Sequence, residues 1–287
     1  MIKLDAATVL LQWAAGGLLF LWVTTRLRVV GIGYGWLLRG VYAALAAGAV
    51  AAGRVGDTVV VRDLAAAGVV VAALVALGVS VARRKAGVRG ERAVQERRSA
   101  RVAAMTGIDR EETARDVGAA EFPPVLDLVA PAIGLVGVVA AAVASASAGD
   151  GSVLVAVLRT VTGAAFLGAI SDAMLLGHWY LVQPGLGRGP LNELNRWVML
   201  VWPFEVAFLL LPTGMLSVLS GRIDDGYDGL LGWFWIACAV TTIVLAVVTR
   251  AALKERTYSA VMAATGLLYL AILTAFGTDL VARALLV

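Results

Sequence analysis

Apolar stretches of about twenty residues recur along this chain, at 6–24, 34–53, 64–82, 125–147, 159–181, 196–219, 229–249 and 258–281. Each is long enough to cross a hydrocarbon core of about 30 Å at about 1.5 Å per helical residue. The runs are rich in Ala, Leu, Val and Gly and lack the ten-residue alternation of a membrane barrel. The pattern predicts an all-α, polytopic transmembrane bundle of about eight spans. Spans 1–3 occupy 1–82, a polar segment occupies 83–124, and spans 4–8 occupy 125–287. Arg39 interrupts the second run near its start, and its long side chain is expected to snorkel to the interface.

Composition strengthens this reading. Charged residues make up 15% of the chain, against about 25% in a typical soluble domain. Lys3 supplies almost no basic n-region, so no cleavable signal peptide is expected. The basic residues decide the direction of the spans. Eighteen of the 24 Lys and Arg fall on the side that carries the loops after odd-numbered spans, and six fall on the other. The positive-inside rule then places 83–124 in the cytoplasm and both termini outside an inner membrane of bacterial type.

The segment 83–124 predicts a basic helix followed by a second short helix over 108–118, where Asp109 and Glu112 have capping-box spacing. Pro123 and Pro124 end it. Its basic stretch, 83–115, is expected to lie against anionic lipid headgroups or to dock a protein partner. It has no interleaved aromatics, so nucleic acid is not an expected partner.

Candidate chemistry is sparse. Asp172 and Glu205 stand 16 residues before and 17 residues after Arg188, in the fifth and sixth runs. If those helices enter the membrane near 181 and 196, both carboxyls lie about 13 Å deep on adjacent antiparallel helices. A carboxyl at that depth must face protein, water or a partner. Pro203 is expected to kink the sixth span close to Glu205. His178, the only histidine, lies near the cytoplasmic end of the fifth span, where imidazole can pass protons. Asp172, Glu205 and His178 therefore form the candidate proton or ion path. Fold-over about Arg188 also sets Met199 opposite His178, which makes them candidate haem ligands.

Asp224, Asp225 and Asp228 form a DDxxD spacing that can hold a cation. Prenyl transfer needs a second acidic cluster to bridge diphosphate through several metals, and none stands on the same side. Arg188, within GLGRGP, is a candidate anion-binding residue beside a helix start. The GIGYG stretch at 31–35 has the wrong spacing for a dinucleotide fingerprint. With Cys238 as the only cysteine, neither a thiolate zinc site nor an iron–sulfur cluster is expected within this chain.

The expected function is a non-enzymatic proton- or ion-handling component of a respiratory or other energy-conserving membrane assembly. A small-solute transporter, a membrane enzyme acting on lipid or isoprenoid through the aspartate loop, and a membrane scaffold or assembly factor are the alternatives. A transporter would show broken or repeated helices, and no internal repeat stands out.

Overall fold

A computed structural model describes residues 4–106, 120–148, 152–183, 185–255 and 257–286. The helices are α1 (Ala6–Thr25), α2 (Ile32–Val55), α3 (Val60–Ala82), α4 (Arg89–Thr106), α5 (Val129–Ala148), α6 (Val153–Val182), α7 (Gly189–Leu210), α8 (Gly214–Leu219), α9 (Leu230–Ala252) and α10 (Tyr258–Leu285). Among the described residues, seven helices are long and apolar enough to cross a membrane. The protein is a polytopic helical membrane protein.

The longest of the other helices, α7, carries Glu193, Arg196 and Glu205, yet it runs the height of the bundle. Its start is level with the end of α6, where the Tyr180 hydroxyl donates to the Gly187 carbonyl at 2.7 Å. Its end is level with the start of α6, where Arg159 Nε donates to the Phe208 carbonyl at 2.9 Å. It holds α9 along the way. Asn195 Nδ2 donates to the Ala246 carbonyl at 2.9 Å, and Trp202 Nε1 to the Ala239 carbonyl at 3.0 Å. α7 continues through Pro203.

α1, α2, α3 and α5 pack around one another, as do α6, α7, α9 and α10, and the two groups meet chiefly where α1 crosses α6. α1 is the most enclosed span, with 67% of its apolar window buried. The crossing has a specific cause. A Cβ at Gly16 would stand 1.7 Å from the Ala164 carbonyl oxygen, and one at Gly168 would stand 2.2 Å from the Gly16 carbonyl carbon. Only glycine lets the two backbones touch in this way, and small-residue contacts are how helices associate in lipid, where hydrophobic burial between helices gains little. Outward-facing Leu64, Val71, Leu154 and Leu273 remain exposed and meet lipid.

The ends of the bundle are sorted as the runs predict. At one end the α1–α2 loop meets the 83–124 segment and the α6–α7 loop. Gly90 N–H donates to the Arg28 carbonyl at 2.9 Å, and Gly31 N–H to Gln183 Oε1 at 2.8 Å. At the other end Arg62 pairs with Asp5 at 2.7 Å, which ties the start of α1 to the first turn of α3. Asp5 also caps α1 by accepting from the amides of Ala7 and Thr8, which fills two of that helix's free donors.

One expectation changes and another is not reached. The short helix over 108–118 lies outside the described residues. Arg39 does not snorkel. It is 2% exposed and turns inward to a bidentate pair with Asp127, at 2.8 Å from Nε and 2.7 Å from Nη2, with the Phe122 ring over the guanidinium at 4.3 Å. A buried guanidinium with a carboxylate partner escapes the cost of an unpaired charge; the sequence run alone offers no view of that partner.

Candidate functional site

The α6–α7 hairpin sets the site, and its register differs from the expected one. The two hairpin contacts, Tyr180 with Gly187 and Arg159 with Phe208, are both centred between positions 183 and 184. The fold-over is not at Arg188. GPLNELN reads as loop because of its polar residues, but it forms the first turns of α7, with Pro190 at a first-turn position that needs no amide hydrogen. In this register Asp172 is level with Asn195, and Glu205 is level with Thr162. The two acids are ten residues apart along α6, about 15 Å. They are not at equal depth.

Both carboxyls nevertheless point into the protein, each 0% exposed, and they occupy separate polar clusters. Asp172 faces α2. The Tyr42 hydroxyl donates to its Oδ1, and the Tyr34 hydroxyl donates to its backbone carbonyl at 3.2 Å. Its Oδ2 is buried without a partner. Tyr42 can lie this close because Gly17 has no side chain; a Cβ there would fall 2.0 Å from the tyrosine ring.

Glu205 faces α10 and the first half of α6. Asp279, Arg283 and Thr162 surround its carboxyl, and Arg159 stands nearby. Asp279 is supplied with donors: Arg283 Nε reaches its two oxygens at 2.9 and 2.8 Å, and Gln12 Nε2 reaches them at 3.3 and 3.4 Å. Arg283 Nη2 also donates to the Arg159 carbonyl at 3.2 Å. Glu205 accepts nothing, and both of its oxygens are buried without a partner, as is Gln12 Oε1. Gly163 opens the space for this cluster. A Cβ there would lie 2.3 Å from Gln12 Nε2, 2.5 Å from Asp279 Oδ1 and 2.6 Å from Arg283 Nη2.

The sequence reading missed Gln12, Asp279 and Arg283. The available signal was an acid and a base four residues apart, Asp279 and Arg283, at the end of an otherwise uncharged run.

The other candidates fall elsewhere. His178 is exposed on the flank of α6, with Nδ1 3.3 Å from the Tyr269 hydroxyl. The hairpin register places it level with Gly189 and places Met199 level with Gly168, again about 15 Å apart along the axis. The Met199 sulfur lies 4.0 Å from Asn195 Nδ2. His178 and Met199 therefore do not meet around one haem iron. Arg188 is occupied by the α9–α10 turn, donating to the carbonyls of Leu253, Glu255 and Thr257. It closes the free carbonyls at a helix C-terminus and leaves no anion cradle.

The aspartate loop is a cap. Asp225 is 3% exposed, and its carboxylate accepts from the amides of Tyr227, Gly229 and Leu231, each at 2.9 Å. Asp224 Oδ1 accepts from Gly226 N–H at 2.8 Å, and Asp228 adopts a positive φ of 54°. Among the described residues, no group of three or more His, Cys, Asp or Glu is placed to hold a metal. Burial opposes the charge on Asp225, but the amides of Gly229, Tyr227 and Leu231 outweigh it and hold the carboxyl below the usual carboxylate range. A depressed folded-state value stabilises the fold above the unfolded value and loses that contribution as pH falls through the folded one. Asp225→Leu is therefore expected to lower the melting temperature at neutral pH, and the gap from the parent should narrow on acidification. Thermal melts of the purified protein across pH 3–7 measure this (roughly the window of a carboxyl group). A constant gap would show that the amides do not bind the charged form.

No family model matches the chain, and comparison with curated proteins and with solved structures finds no match.

Proposed function

We propose that this protein is a non-enzymatic proton-handling component of an energy-conserving membrane assembly, with Glu205 and Asp279 as its central pair. The reading rests on one observation. Glu205 is enclosed with no hydrogen-bond partner on either oxygen, the nearby Thr162 hydroxyl donating to carbonyls of its own helix, while the neighbouring Asp279 holds both Arg283 Nε and Gln12 Nε2. A bare carboxylate in that position carries a heavy desolvation cost. A neutral carboxyl that donates to Asp279 is satisfied. The pair therefore holds one proton, as two close carboxyls do when they cannot both ionise, and its release requires that water or a conformational change reach the cluster. Asp172, with one free oxygen, is the second protonatable position. His178 lies off this line.

The charge distribution sets the direction. The side that carries 83–124 and the other loops after odd-numbered runs holds eighteen of the 24 basic residues in the sequence and is the cytoplasmic one by the positive-inside rule, in an inner membrane with both termini outside. Its basic helix lies against anionic headgroups. The Glu205 cluster is then nearer the outer face, and Asp172 nearer the cytoplasm.

Proton flux in proteoliposomes tests the reading. Glu205→Gln is expected to keep the fold and reduce flux to the level of empty liposomes, and Asp172→Asn to reduce it strongly. Parental flux in the double amide variant would overturn the proposal, and the two acids would then be structural.

A further inference from the structure

A pocket of about 40 Å³ lies at the end of the bundle that carries 83–124, lined by Thr25, Gly35, Arg39, Ser80, Glu121 and Phe122 among others. A buried water needs about 10–15 Å³ on this measure and two to four polar partners. The pocket has the room, and Thr25, Arg39 and Ser80 supply the partners.

Its outer and inner sides differ. On the outer side Arg28 Nη1 pairs with Glu121 Oε2 at 2.9 Å, with side chains 42% and 12% exposed. The Glu121 carbonyl accepts from Arg83 Nη1 at 3.0 Å, and the Arg28 carbonyl accepts from Gly90 N–H. On the inner side Asp127 Oδ2 accepts from the Thr25 hydroxyl at 3.3 Å as well as from Arg39. Thr24, next in the chain, lies beside the Tyr34 hydroxyl, which reaches the Asp172 carbonyl. Tyr42 completes the route to the Asp172 carboxyl. Thr24, Tyr34 and Tyr42 thus set three hydroxyl groups between the end of α1 and Asp172.

We infer that this pocket is an aqueous vestibule serving Asp172, with the Arg28–Glu121 ion pair as its outer latch. Its purpose rests on the proton-handling reading above; its water accessibility does not. The Arg28 side chain of the latch is 42% exposed, so solvent reaches the pair and it is suited to opening. Asp127 fixes Arg39 against the wall, which keeps the guanidinium from filling the space.

Thiol labelling tests the vestibule. The protein carries Cys238→Ala and Ser80→Cys, is reconstituted in proteoliposomes, and is treated with a charged methanethiosulfonate. Ser80→Cys is close to isosteric; Thr25→Cys is a second reporter should it fail to fold. The expected result is slow modification that accelerates at least tenfold when Glu121→Gln or Arg28→Gln opens the latch, while Val69→Cys, buried in the core, stays unreacted. Absence of labelling at both reporters, or rates that ignore the latch, would overturn the inference. Proton flux is read in parallel. A labelled vestibule with flux that is unchanged in Asp172→Asn would leave the vestibule standing and remove its proton-handling purpose.

Discussion

Gly168→Ile is expected to prevent the protein from assembling into a stable bundle. α1 and α6 touch through backbone at this point. A Cβ at position 168 would meet the Gly16 carbonyl carbon at 2.2 Å, its oxygen at 2.4 Å and Gly17 N at 2.7 Å. No flexible side chain stands in the way that could swing aside, so relief requires the two helices to separate. Separation also breaks the hydrogen bond from Trp13 Nε1 to Ser171 Oγ, 2.8 Å long, and pulls the Tyr42 hydroxyl from Asp172. Overpacking a core ordinarily costs about 1–3 kcal/mol; here the two halves of the bundle meet at the strained contact, so the cost lies at or above the top of that range. Size-exclusion profiles and melting curves in mild detergent measure it. Gly266→Ala is the control with the opposite sign. A Cβ there meets nothing within 4 Å, and the change should stabilise α10 by up to about 1 kcal/mol through helix propensity. Equal behaviour of the two variants would show that the crossing is not a close contact.

The spans were legible because hydrophobic periodicity and length are local properties. α1 and α3 end within a residue of the positions read from apolar runs, at Thr25 and Ala82. The α6–α7 register was not legible for a physical reason. Asn192, Glu193 and Asn195 look like loop to a hydropathy reading, but in the fold Asn195 Nδ2 donates to an α9 carbonyl and Glu193 pairs with Arg26 of the α1–α2 loop. Those partners belong to other helices, and they let polar residues enter a helix early. The five residues or so by which the fold-over point moved were enough to separate Asp172 from Glu205 by nearly three turns.

The same reason explains the charged residues. Sequence spacing identified Asp172 and Glu205 as buried, since a carboxyl inside an apolar run has few places to go. It gave no way to see that Asp172 belongs with Tyr42 on α2, or Glu205 with Asp279 on α10. Arg39 and Asp127 are 88 positions apart, and each alone looks like an interfacial charge. The aspartate loop shows the converse. Its spacing suggests metal chemistry, yet Asp225 is engaged by the backbone amides at the start of α9, the use a short acidic side chain has at any helix start.

The Glu205 cluster also makes a stability prediction that separates charge from packing. Arg283→Met is expected to destabilise the protein by about 3–5 kcal/mol, the cost of removing one partner from a buried ion pair. Asp279 would lose its only cationic partner and keep Gln12, at 3.3 and 3.4 Å, and the proton shared with Glu205, while 0% exposed. Methionine fills most of the arginine stem's volume, so loss of packing is a small part of the effect. Adding Asp279→Asn to Arg283→Met removes the orphaned charge and should recover most of the loss, because replacing both members of a buried pair is often near neutral. Asp279→Asn alone leaves Arg283 partly exposed, with its side chain 13% accessible and the Arg159 carbonyl still available, so it should cost less than Arg283→Met. Denaturation of the four proteins in a double-mutant cycle gives the coupling. Additive losses would mean that water already screens Asp279. Glu205 would then be hydrated as well, and a proton would no longer be needed to satisfy it.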